Sequence, residues 1–194
     1  RAVRAAIEEA IASPVPVTFV ASVVEVHEER LFRMIWDSYD LPAHVRLRIS
    51  RMPGEGKRAG LAQGFKTISR DIPPDDAVVV VMDGDTMLLP GTLRASVPFF
   101  KTVSGLGALT TDEISEVGGS PAMRDWHDMR FAQRHILMSS QALSKRVMTL
   151  TGRMSIFRAE IVTQPGFFAL TGDGLCVGRD SASAVSPDYA PPYP

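Results

Sequence analysis

Asp83-Gly84-Asp85 is the segment whose chemistry is most readily stated. It follows residues 77–82 (AVVVVM), an apolar run with four consecutive valines. A run without polar alternation predicts a strand covered on both faces, as at the centre of a parallel sheet. Open α/β sheets bind ligands beyond the carboxyl ends of their strands. Two carboxylates at that place can hold a hard divalent cation, with a nucleoside diphosphate supplying further oxygens. The plainer reading is an Asp-Gly turn, a common loop device.

Spacing tests the other readings of this segment. An EF-hand loop needs an acidic or amide residue at its fifth place and glycine at its sixth; Met87 and Leu88 stand there. A haloacid-dehalogenase-type phosphatase also has Asp-x-Asp after a strand. Here Thr86 comes one place early and Met87 follows, which weakens that alternative, with Asp83 as its nucleophile. Gly54-Glu55-Gly56-Lys57 is not a P-loop, because Arg51 stands where the first glycine belongs and Arg58 where Ser or Thr belongs. A milder reading remains: Lys57 and Arg58 open a helix, whose N-terminal N–H groups and dipole favour an anion. Thr110-Thr111-Asp112-Glu113 puts two more carboxylates after a strand, and Trp126, Arg130, Gln133 and Arg134 form either a polar and aromatic helix face or a core Trp beside a solvated stripe. The four histidines show no metal-ligand spacing, and no Gly-x-Ser-x-Gly elbow is present.

The elements that position these residues follow from periodicity. Helices are expected over residues 2–12, 27–39 (Leu31, Met34, Ile35 and Trp36 inward), 57–70, 91–101 and 126–148. On the last, Met129, Ala132, Ile136, Leu143 and Val147 are expected to form the buried face, and most of the nine methionines to fill core gaps. Strands are expected over residues 17–24, 45–49, 77–82, 106–111 and 154–157. Gly60 and Gly64, one turn apart, suit close helix–sheet packing. Alternating strands and helices argue for an α/β sheet with helices on both faces.

The chain has 194 residues, enough for one domain with a buried core. Its net charge of −1 excludes a strongly basic nucleic-acid binder, so no nucleic-acid partner is expected. The single Cys176 excludes an internal disulfide. No apolar run reaches the roughly 18–20 residues that span a bilayer.

Residues 56–65 (GKRAGLAQGF), 78–86 (VVVVMDGDT), 109–113 (LTTDE), 126–135 (WHDMRFAQRH) and 142–159 (ALSKRVMTLTGRMSIFRA) together resemble the polymer-forming family 2 glycosyltransferases, specifically the mannuronan-polymerising branch, whose relatives make cellulose and hyaluronan. The likeness runs from about Val3 to Pro165. It implies a GT-A fold, a Rossmann-like and mostly parallel sheet. It implies inverting, Mg²⁺- or Mn²⁺-dependent transfer of a sugar, GDP-mannuronate being the donor by analogy, to a β-1,4-linked polysaccharide. It also implies other subunits of a membrane synthase complex, at the cytoplasmic face of a bacterial inner membrane. By the same likeness, Asp83 and Asp85 bind the metal and donor, Lys57 and Arg153 the donor, and Thr111, Asp112, Glu113 and Trp126 the donor and acceptor pocket.

The chain also departs from that pattern. The family's first strand, which carries a base-binding Asp, has no counterpart before Ala2, and the opening without Met suggests a fragment. Residues 1–179 are expected to be a partial catalytic domain, lacking its first strand and C-terminal part, and residues 180–194 a Pro-rich loose tail. At Thr171-Gly172-Asp173-Gly174, Asp173 fills the first acidic place of the family's base motif, and Gly174 stands where the base itself is expected. A non-enzyme alternative is an inactive fragment or assembly module that docks through Arg130 and Arg134.

Overall fold

A computed structural model describes residues 1–52 and 56–167. Twelve elements follow one another: α1 (Ala2–Ile11), β1 (Val17–Val23), α2 (Val26–Trp36), β2 (Val45–Arg51), α3 (Lys57–Arg70), β3 (Val78–Met82), α4 (Thr92–Ser96), α5 (Phe99–Thr102), β4 (Ala108–Thr110), α6 (Pro121–Leu143), β5 (Met154–Arg158) and α7 (Ala159–Val162). The strands form two ladders. β1 and β2 run parallel, with Val17 opposite Val45 and Val23 opposite Arg51. β5 lies between β3 and β4 and is antiparallel to both, with Val80 and Leu109 each opposite Ile156.

The α/β class expected from the alternating pattern is therefore present. One detail of the valine strand differs. Both faces of β3 are covered as expected, but its ladder partner among the described residues is the antiparallel β5. Val79 and Val81 pack with Phe65 of α3 and Val162 of α7. Val78, Val80 and Met82 turn the other way, toward Ala6, Leu88, Phe100 and Ile156. An unalternating run reports two covered faces and carries no information on strand direction.

The two ladders share their covering layers. α3 packs on β1 and β2 and also places Phe65 over Val79. Phe19 of β1 joins Val78 and Val80 on the opposite side. No ladder connects β1 to β3 among the described residues. The close approach of α3 to β1 uses the two glycines: the Ser22 hydroxyl donates to the Gly60 carbonyl at 2.9 Å, and a Cβ on Gly64 would stand 3.4 Å from the Ser22 oxygen. The buried Glu9 carboxylate accepts from the N–H groups of Gly91 and Leu93, at 2.5 and 2.9 Å, and so ties α1 to the start of α4.

Four expectations about helices are corrected. Residues 91–101 form two short helices, because Pro98 has no N–H with which to continue the first. On α2, Leu31 and Met34 are exposed, and the inward contact is Trp36, edge-on to Phe19 at 5.2 Å and stacked with Phe32. On α6, Met129, Ile136 and Leu143 face solvent, and Trp126 is exposed too, so no core Trp lies there. The methionines likewise divide: Met154 is buried, whereas Met34, Met87, Met123, Met129 and Met148 are exposed. α6 also begins five residues earlier than expected, at Pro121, capped by the Ser120 hydroxyl.

The start of α2 is a capping box. The Glu28 carboxylate accepts from the Glu25 and Val24 N–H groups, and these bonds hold its pKa below the usual carboxylate value. The depressed pKa means that the cap stabilises at neutral pH and is lost as acidification protonates Glu28 in the folded chain.

Ile156 is fully buried where both neighbouring strands meet β5, whereas Leu143 is 89% exposed. Ile156→Ala is expected to lower stability by about 2–5 kcal/mol, and Leu143→Ala to leave it within about 0.5 kcal/mol. Urea denaturation of the two variants beside the parent chain checks this contrast.

Candidate functional site

The reversal of β5 decides what meets at the site. Because β5 runs against β3 and β4, the loop that precedes it, Thr151-Gly152-Arg153, arrives at the same sheet end as the carboxyl termini of those strands. Thr151 fixes the loop there. Its hydroxyl donates to the Met154 carbonyl at 3.0 Å, and its N–H donates to the hydroxyl of Thr110 on β4 at 3.3 Å. The Asp83 N–H donates to the Arg153 carbonyl at 3.1 Å, so the end of β3 is stitched to the same loop.

Against that stitch stands Lys57, the first residue of α3. Its ammonium contacts the Asp83 Oδ1 directly. A Cβ added at Gly152 would lie 3.1 Å from the Lys57 Nζ and 4.0 Å from Asp83 Oδ2. The bare backbone at Gly152 thus leaves a small cradle beside an ammonium and a carboxylate. α3 has no acidic residue in its first turn, so its N-terminal dipole adds to the positive charge of Lys57.

Glu113 holds the rim. Its Oε2 accepts from Arg153 Nε at 2.5 Å and from Arg134 Nη1 at 3.0 Å, while its Oε1 is buried without a partner among the described residues. The side chain is only 12% exposed. Arg153 also lies over the ring of Phe131 on α6, 5.2 Å from its centroid. Glu113 was expected to line a ligand pocket; the structure makes it an anchor for two guanidinium groups. Arg134 is thereby engaged within the chain. Neither Phe131 nor Thr151 stood out in the sequence, since each acquires its role from a contact remote in sequence.

The other expected residues lie farther out. Asp85 is exposed in the turn after β3. Thr111 is half-buried beyond β4. The Asp112 carboxylate meets His135 Nδ1 at 2.8 Å. Trp126, with Arg130 stacked 5.0 Å from its ring centre, lines an open cavity of about 390 Å³ with Ser120, Ala122 and Met123. Asp173 and Gly174, and the boundary at residue 179, fall outside the described residues.

A divalent cation can be tested against this donor set. Among the described residues no group of three or more His, Cys, Asp or Glu side chains converges on one point. Asp83 and Asp85 supply hard oxygen donors of the right chemistry for Mg²⁺ or Mn²⁺, which bind through one or two carboxylates together with phosphate oxygens and water. The residues fit such a shared cation and do not form an all-protein cage.

A family model described as "Glycosyltransferase like family 2" matches residues 1–187. The chain belongs to that family. This glycosyltransferase-family chain is similar to "Glycosyltransferase alg8" of Pseudomonas syringae pv. tomato, 52% identical over 163 residues covering 84% of the chain and 33% of the relative. It is also similar to "Glycosyltransferase alg8" of Azotobacter vinelandii, 48% identical over 161 residues covering 83% of the chain and 32% of the relative. The chain thus spans about one third of the length of the curated relatives it matches. No solved structure matches it. The family match runs past Pro165, where the sequence likeness was drawn to a close. Membership removes the phosphatase alternative. No helix among the described residues is long and apolar enough to cross a membrane.

Glu113→Ala would leave two guanidinium groups without their shared acceptor. Arg153 and Arg134 can both turn partly to water, so the expected loss is about 1–2 kcal/mol rather than the full cost of a buried unpaired charge. Faster amide exchange along α6, together with a lower urea midpoint, is the expected result.

Proposed function

We propose that this glycosyltransferase-family chain carries the donor-binding half of a processive, inverting, metal-dependent sugar transferase. The donor is a nucleoside diphosphate sugar, GDP-mannuronate by the resemblance of its motifs. The acceptor is the growing end of a β-1,4-linked polysaccharide. Turnover belongs to the whole protein, working with other subunits of a membrane synthase complex at the cytoplasmic face of the inner membrane. The observation that carries this reading is the meeting of Lys57, Asp83 and Gly152 at the end of β3, in a chain whose family transfers sugars.

The roles of the chain's own residues follow from charge and place. Asp83 and Asp85 would hold Mg²⁺ or Mn²⁺, which would supply Lewis-acid neutralisation of charge on a departing diphosphate. Lys57, at the start of α3, contributes a cation for the diphosphate, assisted by the helix N-terminus. Arg153 faces the same ligand from the opposite rim, held in place by Glu113. Thr111 and Trp126 border the acceptor side, and Asp112 keeps the adjoining helix in register through His135. In an inverting displacement the acceptor hydroxyl attacks the anomeric carbon as the diphosphate leaves from the opposite face. A carboxylate must take the hydroxyl proton, and Asp173 is the residue proposed for that step.

Calorimetric titration of GDP into the chain, with and without Mn²⁺, tests the reading. Binding is expected only with Mn²⁺ and is expected to weaken by at least about tenfold in Asp85→Ala, the equivalent of one lost ionic ligand. Equal binding with and without metal, or by parent and variant, would sink it.

A further inference from the structure

The place a cation would take at Asp83 already holds one. The Lys57 ammonium contacts Asp83 Oδ1, and the backbone of Gly152 closes over it so tightly that a Cβ there would come within 3.1 Å of the Nζ. The ammonium therefore sits in a slot with Asp83 on one side and the 151–153 loop on the other. The loop cannot easily withdraw, because Thr151 binds it to β4 and β5 and the Arg153 carbonyl binds it to the Asp83 N–H. The mobile partner is the lysine, whose long stem is 56% exposed.

We infer that Lys57 is the built-in counter-ion of Asp83, and that it yields this place to a divalent cation only when a nucleoside diphosphate offers the ammonium another anion. This rests on the donor-site reading above. A dication at Asp83 and an ammonium on the same carboxylate oxygen repel one another at contact distance. Metal arriving alone must push the ammonium away from the carboxylate it contacts. The ammonium would then rest beside the N-terminus of α3, where the dipole disfavours a cation and no first-turn carboxylate compensates. A diphosphate reverses that balance, because the helix start and the displaced ammonium then both face negative charge. Swinging Lys57 from Asp83 to the diphosphate needs side-chain rotation alone. The two ligands consequently bind as a pair: each raises the affinity for the other, by the reciprocity that binding linkage requires. Gly152 borders the same contact, since a Cβ there would stand 3.1 Å from the Lys57 Nζ.

Mn²⁺ binding to the whole chain, read from the electron paramagnetic resonance signal of the free ion, tests this without any need for turnover. The parent chain is expected to bind Mn²⁺ weakly alone and more tightly in the presence of GDP. Lys57→Met keeps the stem and removes the charge; it is expected to tighten Mn²⁺ binding without GDP by about tenfold, the effect of deleting one competing charge at contact distance. The enhancement by GDP should shrink by a similar factor. Lys57→Arg, which keeps a cation, is expected to remain close to the parent. If Lys57→Met leaves Mn²⁺ binding unchanged or weaker without GDP, while GDP and Mn²⁺ still bind together and Asp85→Ala still weakens that binding by at least about tenfold, the counter-ion role is overturned and the donor site stands. If neither parent nor variant binds Mn²⁺ with or without GDP, the counter-ion role and the donor-site reading fall together. A melting temperature lowered in Lys57→Met with no change in metal affinity would mark the pair as structural only, and would also overturn the proposal.

Discussion

The direction of one strand governs this molecule. β5 runs against β3 and β4, and so delivers its preceding loop, not its following one, to the sheet end where those two strands finish. Had β5 been parallel, Thr151, Gly152 and Arg153 would lie at the opposite end of the sheet, and Lys57 and Asp83 would meet without a backbone wall. The antiparallel ladder also seats Ile156 centrally, with apolar partners from Ala6 to Phe100. The same short strand therefore anchors the core and frames the charged cluster. Its burial supplies the hydrophobic stabilisation that fixes the positions of exposed ionic groups.

That arrangement is coherent with sugar transfer from a nucleoside diphosphate. A nucleoside diphosphate is highly charged, and the end of β3 brings together the Lys57 ammonium, the N-terminus of α3 and the Asp83 carboxylate. None of these groups is deeply buried.

Much of this was legible in the sequence, and the reason is locality. The helix from Lys57 to Arg70 and the valine strand from Val78 are recorded in propensity, periodicity and proline breaks over a few residues. Asp83 and Lys57 were singled out because each stands at an element's end, where such residue types have a stated chemistry. What escaped was whatever depends on long-range geometry. The direction of β5 leaves no mark in a five-residue run. Glu113 read as a pocket wall because its partners Arg134 and Arg153 lie 21 and 40 residues away. The outer face of α6 misled for a different reason. Its apolar residues have helical spacing, but the face turned inward is set by Phe131 and by the carboxylates that Arg134 and His135 find.

The way α6 is attached has a further consequence. The helix buries no residue fully, and among the described residues its ties to the body include the Glu113–Arg134 and Asp112–His135 pairs and the stacking of Arg153 on Phe131. Of these, the exposed Asp112–His135 contact is the one most open to dissolved salt, because mobile ions screen exposed charges over about 10 Å at 0.1 M ionic strength, whereas partly buried pairs and apolar contacts are screened much less. The two halves of the molecule thus answer to different solution variables. Temperature and denaturant act chiefly on the sheet and its covering helices; ionic composition acts chiefly on how firmly the long helix closes the rim beside Arg153.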